Sequence, residues 1–530
     1  MSKSKLFLLT APVILGLLTP LSFAPYYQFW LMPLLFAALA LLLERRPQYA
    51  VRSAYLFGLA GYTAQFYWIH TALHDISGLP NLYALPLTLL LPAYLALFPA
   101  AATWLWRKGL QIGTNRHLAA DPFCRKARCS DSLYALLALP VFWTLAEFAR
   151  ERFLTGFGWG ALGYSQIADA SPLAGFAPLG GIHLLTFITA LFGVLLARLV
   201  AAHGKIRLIY AALSAALLLI GFAAKQADFT EADGTRSTVA LAQGNIAQSL
   251  KFDENQFLPT VQRYFEQVAN SRAEIVILPE TAIPVLMQDL PPELLDSFAK
   301  QAEANGSALA LGIARYTDDG HGYLNAVALA GKQMPSESGA SAAFPPSENW
   351  AFYAKNHLVP FGEYKPLPFL TEPLYRLMNM PLSDFHRGGH AQAPLPMGKQ
   401  QVAFNICYED GFGDELIASA RQSSLLANAS NMAWYGTSNA MYQQLQQSQA
   451  RALELGRYMV RATNTGFTAI VDNKGRVTAQ LLPDTAAVLN GEIEGFRGET
   501  PYMKLGSSYP LMILLAIIGA ALLIARRKAV

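Results

Sequence analysis

Long apolar runs fill the beginning and the end of the chain, and a polar stretch of different texture separates them. Seven runs before residue 225 and one near the end approach the ~20 residues that a helix needs to cross a ~30 Å hydrocarbon core. They fall at approximately 6–23, 27–43, 53–72, 82–106, 132–149, 176–197, 207–223 and 509–525. From about 226 to 505 the runs are shorter, alternating or apolar, and bounded by turns, the pattern of strands interleaved with helices in an α/β domain. They predict strands over 238–243, 274–278, 308–314, 326–330, 350–355, 402–406, 425–429 and 468–472, and helices over 257–270, 293–305, 414–422 and 439–460. Residues 334–348, rich in Ser, Ala and Pro, read as a loop. The expected organisation is a seven-helix membrane domain (1–225), an α/β domain (226–505) and a C-terminal membrane helix (506–530).

Composition agrees with a lipid environment. Across 530 residues only 14% are charged and 53% are hydrophobic, too apolar for an ordinary soluble enzyme. The net charge of +4 is small and its basic residues sit in short clusters between apolar runs, which excludes nucleic acid as a natural partner. Those clusters set orientation instead. With the N-terminus in the cytoplasm, Lys3, Lys5, Arg45, Arg46, Arg107, Lys108, Arg526, Arg527 and Lys528 all fall inside, and only Arg150 and Arg152 fall in the opposite short loops. The positive-inside rule then puts 226–505 outside, as in a multi-pass bacterial inner-membrane protein with a periplasmic domain and both termini cytoplasmic. Residues 1–24 have some features of a signal peptide, but Pro25 directly after Ala24 disfavours cleavage, and a membrane span is expected there.

Three strands end in a reactive side chain: Glu280 after Ile277-Leu278-Pro279, Lys355 after Phe352-Tyr353-Ala354, and Cys407 after Phe404-Asn405-Ile406. In an α/β sheet the strand ends form the rim where ligands bind. A thiol attacks a carbonyl as its thiolate, which needs a base and nearby positive charge; Glu280 and Lys355 are of the right types. The tetrahedral oxyanion then needs donors, which the Lys355 ammonium and the Tyr408 backbone N–H would provide. Taken singly, a strand-end Glu is a common cap, a Lys a common solvated charge, and a Cys a common small hydrophobe. Cys407 stands apart because Cys124 and Cys129 lie together in a distant basic loop, and an unpaired thiol in an oxidising compartment invites damage unless something requires it. Histidine spacing offers no metal site and no Gly-rich phosphate loop is present, so no metal or cofactor is expected. His70 and Asp75 satisfy a His-x4-Asp spacing, but on the outer face, away from cytoplasmic acyl thioesters.

These stretches resemble the nitrilase superfamily, which shares a Glu-Lys-Cys triad on an αββα sandwich. With the membrane spans added, the whole chain resembles the apolipoprotein N-acyltransferase family. The matching blocks are 241–256 (LAQGNIAQSLKFDENQ), 277–284 (ILPETAIP), 353–366 (YAKNHLVPFGEYKP), 406–410 (ICYED), 430–436 (SNMAWYG) and 451–475 (RALELGRYMVRATNTGFTAIVDNKG). The resemblance implies a nitrilase-like α/β sandwich inserted into about eight transmembrane helices. Glu280 would be general base, Lys355 stabiliser of oxyanion and thiolate, and Cys407 nucleophile. Glu363, Tyr408, Glu409, Phe252 and Trp434 would have supporting or substrate-binding roles. Phe252 stands where many members have tryptophan, and Met432 where aspartate is common. The implied reaction is ping-pong. A phospholipid acyl donor, usually phosphatidylethanolamine through its sn-1 chain, acylates Cys407, and a diacylated apolipoprotein acceptor takes the chain on its N-terminal α-amino group. A monomer is expected. A membrane-tethered amidase or hydrolase of the same superfamily is the alternative. The apolar stretches 367–370 and 374–378 are expected to form an arm dipping toward the bilayer.

Overall fold

The computed structural model describes residues 3–113, 133–330, 350–375 and 384–529. Cys124, Cys129, the loop 334–348 and residues 376–378 of the expected arm lie outside the described residues. The chain forms two compact units. One comprises Met1–Tyr67, Leu82–Asp228 and Pro501–Val530, the other Trp68–Asn81 and Phe229–Thr500.

The first unit is helical: α1 (Lys3–Leu17), α2 (Leu31–Arg45), α3 (Ala50–Gln65), α4 (Asn81–Leu95), α5 (Leu97–Gly113), α6 (Leu133–Arg152), α7 (Ala177–Ala201) and α8 (Gly204–Gln226). Among the described residues four helical stretches are long and apolar enough to cross a membrane: Asn81–Leu110, Leu133–Arg152, Pro172–Ala201 and Gly204–Gln226. Leu9–Ser22 and Ser508–Leu523 are apolar but shorter. Two expected spans differ in detail. The run 53–72 stops being α-helical at Gln65 and continues after a break into a wider π-helical turn, Thr71–Ile76. The run 176–197 is kinked at Gly180 and Gly181, the latter at φ +70°, where a Cβ would lie 2.5 Å from the Tyr502 ring. Only glycine fits both the dihedral and the space.

The second unit holds two six-stranded sheets. In chain order its elements are β1 (Glu231–Gln243), α9 (Glu254–Ala269), β2 (Ile275–Ile277), α10 (Pro292–Ala304), β3 (Ala308–Tyr316), β4 (Tyr323–Ala330), β5 (Phe352–Ala354), α11 (Pro368–Tyr375), β6 (Leu395–Met397), β7 (Gln400–Ile406), α12 (Gly413–Ala420), β8 (Leu425–Ser430), α13 (Asn439–Leu455), β9 (Tyr458–Thr463), β10 (Ala469–Val471), β11 (Val477–Gln480) and β12 (Ala487–Arg497). The sheet orders are β12-β1-β2-β3-β4-β5 and β11-β10-β9-β8-β7-β6. Each has three parallel central strands, β1-β2-β3 and β7-β8-β9, flanked by antiparallel ones.

Alternation along the strands explains the two faces. Val239, Leu241, Ile275 and Ile277 join a core shared with Val402, Phe404, Ile406, Leu425 and Val460 of the other sheet. Ala240, Ala242, Val276 and Leu278 instead pack with Val261 and Tyr264 of α9 and Leu295 and Phe298 of α10. Strands apolar on both faces are what parallel sheets with two covered faces require, and each fully buried Val, Ile or Leu contributes about 1.5–3 kcal/mol.

The expected helix 439–460 ends early, at Leu455. Gly456 adopts φ +60° and closes the helix, and a Cβ there would meet Thr230 at 2.6 Å. Residues 458–463 therefore become β9, a central parallel strand rather than a continuation of the helix. The short strands β6 and β11 and the long β12 were also outside the expectation; β12 is half exposed and carries charges, so its apolar signal is weak. The chain returns to the first unit through α14 (Pro501–Leu505) and α15 (Ser508–Ala529).

Candidate active site

Three strands aim their C-terminal ends at one place. β5 lies two antiparallel steps from β3, so it runs the same way as β2 and β3, and β2, β5 and β7 release Glu280, Lys355 and Cys407 respectively. Cys407 is the first residue of a 3-10 turn, Cys407–Gly411, and sits at φ +53°. A left-handed conformation costs a non-glycine residue roughly 1–2 kcal/mol, so the surroundings must hold it. Asn428 Nδ2 donates to the Cys407 carbonyl at 3.3 Å. The buried Glu409 carboxylate accepts from Ile406 N at 2.7 Å, Asn356 N at 2.7 Å, His357 N at 3.0 Å and Tyr353 Oη at 2.9 Å. Glu409 thus ties the strand end that carries Lys355 to the one that carries Cys407.

Opposite the thiol lies a four-group cluster. Glu363 Oε1 accepts from Lys355 Nζ at 2.8 Å and from Asn325 Nδ2 at 2.9 Å. Glu280 Oε1 accepts from the same two groups, Asn325 Nδ2 at 2.8 Å and Lys355 Nζ at 3.4 Å. Val359 N holds the second oxygen of Glu363 at 2.8 Å. One ammonium and one amide therefore bridge two carboxylates. Lys355 is 1% exposed; burial pulls its ammonium down, but Glu363 and Glu280 outweigh this and hold it well above its ordinary value. It stays charged. Burial pushes the Cys407 thiol up to about 11, Glu280 adds to this, and Lys355 opposes it. The resting sulfur is therefore protonated near neutral pH, with a carboxylate and an ammonium beside it.

The other expected residues differ in their burial. Tyr408 is buried against His357 and Phe412, with ring centroids 5.7 and 5.1 Å away. Trp434 is half-buried in the turn Ala433–Tyr435. Phe252 is 38% exposed. Next to Trp434, the Tyr435 ring meets Trp68 edge-on, centroids 4.6 Å apart, so the connector between α3 and α4 is part of this unit. His70 is spent on Asn81, 2.8 Å away. Among the described residues no cluster of His, Cys, Asp or Glu has a metal-site arrangement.

Residues 238–502 match the family model of carbon-nitrogen hydrolases, and residues 15–195 match that of the apolipoprotein N-acyltransferase N-terminal domain. The chain is 61% identical over 525 residues to apolipoprotein N-acyltransferase of Neisseria meningitidis serogroup B, covering 97% of this chain and 96% of that one. The chain belongs to the apolipoprotein N-acyltransferase family. Its counterpart in Chromobacterium violaceum is 46% identical, over 99% of this chain and 95% of that one, and the one in Nitrosomonas europaea is 39% identical, over 98% and 96%. Likeness of this extent covers the helical first unit as well as the two sheets, so the family is one of membrane enzymes with a nitrilase-like domain.

Three residues of this family member's site escaped sequence reasoning. Asn325, in the middle of a strand, bridges the two carboxylates. Lys251 is 5% exposed and donates to the Glu280 carbonyl at 3.3 Å; burial pulls its ammonium down to about 8, with Glu280 and Cys407 opposing. It precedes Phe252 inside the block 241–256, where no local pattern marks it as buried. Gln444 is 1% exposed on α13, and its Nε2 lies 3.8 Å from Cys407 Sγ.

Proposed function

We propose that the chain transfers a fatty acyl group from a membrane phospholipid to the N-terminal α-amino group of S-diacylglyceryl-cysteine lipoproteins through a Cys407 thioester. The observation that carries this reading is the meeting of a thiol at a strained strand-to-turn elbow with a carboxylate and a buried ammonium, in a chain whose relatives are apolipoprotein N-acyltransferases. Glu280 takes the thiol proton, and the thiolate attacks the ester carbonyl, the sn-1 ester of phosphatidylethanolamine in the favoured case. The oxyanion is met by the Lys355 ammonium and the Tyr408 N–H, each donor being worth roughly 2.7–4 kcal/mol. Collapse expels the lysophospholipid alkoxide, which takes the proton back from Glu280. The acceptor amine then attacks the thioester, Glu280 accepts its proton, and Cys407 leaves as a thiolate that takes this proton back from Glu280, restoring the resting enzyme. Ester to thioester preserves acyl reactivity and thioester to amide runs downhill, so no nucleotide is consumed.

Glu363 keeps Lys355 charged and placed, and Glu409 fixes the elbow; Trp434 and Phe252 border the substrate's approach. The wider arrangement belongs to the same proposal. It comprises an αββα sandwich at 226–505, seven spans before it and one after, both termini cytoplasmic and the sandwich periplasmic in a bacterial inner membrane, acting as a monomer with an apolar arm near 367–378. Phe369, on α11, is 84% exposed, which suits a lipid-facing tip.

The test is intact mass of the protein and its Cys407→Ala variant after incubation with phospholipid alone. A hydroxylamine-sensitive acyl adduct on the unaltered protein only, passed on when a diacylated lipopeptide is added, supports the transferase. An adduct discharged by water but not by lipopeptide supports a hydrolase. No adduct on a folded protein removes Cys407 from the mechanism.

A further inference from the structure

Beside Cys407 lies a buried polar chain that the acyl-transfer steps leave without a task. Asp410 and Arg461, both with fully buried side chains, form an ion pair at 3.0 Å. The same guanidinium nitrogen donates to Asn428 Oδ1 at 2.9 Å and to Ser448 Oγ at 3.0 Å, and the other terminal nitrogen donates to Gln444 Oε1. Ser430 Oγ lies 3.3 Å from that oxygen and also hydrogen-bonds Cys407, so its one proton serves either group. An amide whose oxygen is claimed by a guanidinium has one orientation available, because reversing it would set the –NH₂ group against Arg461. That orientation turns Nε2 toward Cys407 Sγ, at 3.8 Å.

We propose that Gln444, oriented by Arg461, is a positioning residue for the nucleophile, donating an N–H to the sulfur that strengthens when the sulfur is anionic. The inference rests on the thioester reading of the site. An N–H facing sulfur gains most when sulfur carries a full charge, and it carries one twice: as attacker on the ester and as leaving group from the acceptor's tetrahedral adduct. The neutral thioester between these steps binds the N–H less well. Gln444 therefore stabilises the two charged states at both ends of the cycle relative to the acyl intermediate. The charged and titratable groups acting on Cys407 are Glu280, Glu363, Lys355, Lys251, Arg461 and Tyr435, with Asp410 paired to Arg461. Gln444 connects the Arg461–Asp410 pair to the sulfur.

The experiment is the pH profile of Cys407 alkylation by iodoacetamide in the full-length, detergent-solubilised protein, followed by mapping of the Cys407 peptide between pH 7 and 10. Gln444→Leu keeps the bulk and removes the donor; its profile is expected to lie about one unit to the alkaline side, a rate about tenfold lower at each pH. Gln444→His restores an N–H at a similar reach and is expected within threefold of the unaltered protein. Gln444→Glu offers the sulfur a carboxylate oxygen while pairing with Arg461, keeps the buried guanidinium satisfied should the Leu variant fail to fold, and is expected to lie further to the alkaline side. Superimposable profiles for the unaltered protein and the Leu or Glu variant would overturn the proposal, as would a His variant that falls with Leu.

Discussion

Lys355 is held more closely by Glu363 than by Glu280, its ammonium lying 2.8 Å from the first carboxylate and 3.4 Å from the second. Under the proposed mechanism, a lysine paired with Glu280 alone would compete with the thiol proton for that carboxylate. Sharing the ammonium between two carboxylates fixes its place, with Glu363 as the nearer anchor.

Glu363→Gln should therefore act on chemistry rather than on folding. With one carboxylate gone, Lys355 is expected to close on Glu280, and acyl-enzyme formation, followed by intact mass, should fall by about a hundredfold. A variant within threefold of the unaltered protein would show that one carboxylate is enough.

Cys407 at φ +53° makes a prediction about stability. Glycine adopts this conformation without steric cost and alanine does not. Cys407→Gly should melt above Cys407→Ala, the gap corresponding to about 1 kcal/mol, and neither should form an adduct. Equal melting temperatures would mean that the turn relaxes once the sulfur is gone.

Breaking the Asp410–Arg461 pair from one side should be costly. Asp410→Asn removes the charge facing a guanidinium with no exposed surface and should destabilise the protein by about 3–5 kcal/mol. Urea unfolding followed by Trp fluorescence measures this, and a loss under about 1 kcal/mol would mean that Asn428, Ser448 and Gln444 suffice.

Lys251 gives a pH prediction of definite sign. Its ammonium is pulled down by burial to about 8 in the folded chain, against roughly 10.4 in an unfolded one. Between these values the unfolded chain binds more protons, so stability rises with pH; below about 8 the whole cost is present, on the order of 3 kcal/mol. Lys251→Met should thus melt higher than the unaltered protein at pH 7, with the difference shrinking between pH 8 and 10.5. A difference constant with pH would mean that the lysine is not desolvated.

The parts of this site legible in the sequence are those in which a strand's apolar run stops at a reactive residue. Ile275 to Leu278, Phe352 to Ala354 and Phe404 to Ile406 are each short enough to read as strands, so the reactive residue beyond each one falls at a rim without further information. Asn325, Lys251 and Gln444 carry no such mark. Asn325 interrupts an apolar strand, Lys251 sits in a polar turn, and Gln444 lies in a glutamine-rich helix that would suit solvent equally well. Their burial depends on what packs over them from distant parts of the chain. The misread helix end at 456–460 has a local cause: Arg457 to Val460 fit either period, and only the left-handed Gly456 decides between them.

The edge-on contact of Trp68 with Tyr435 bears on how the protein is made. The ribosome delivers Trp68 just after α1–α3, hundreds of residues before Tyr435 emerges, so the earliest piece of the second unit must wait through the synthesis of five further helices for the surface it will cover. A protein cut just before Phe229 would retain Glu280, Lys355 and Cys407 yet lack this piece. No single scission of the chain separates the whole second unit from the first.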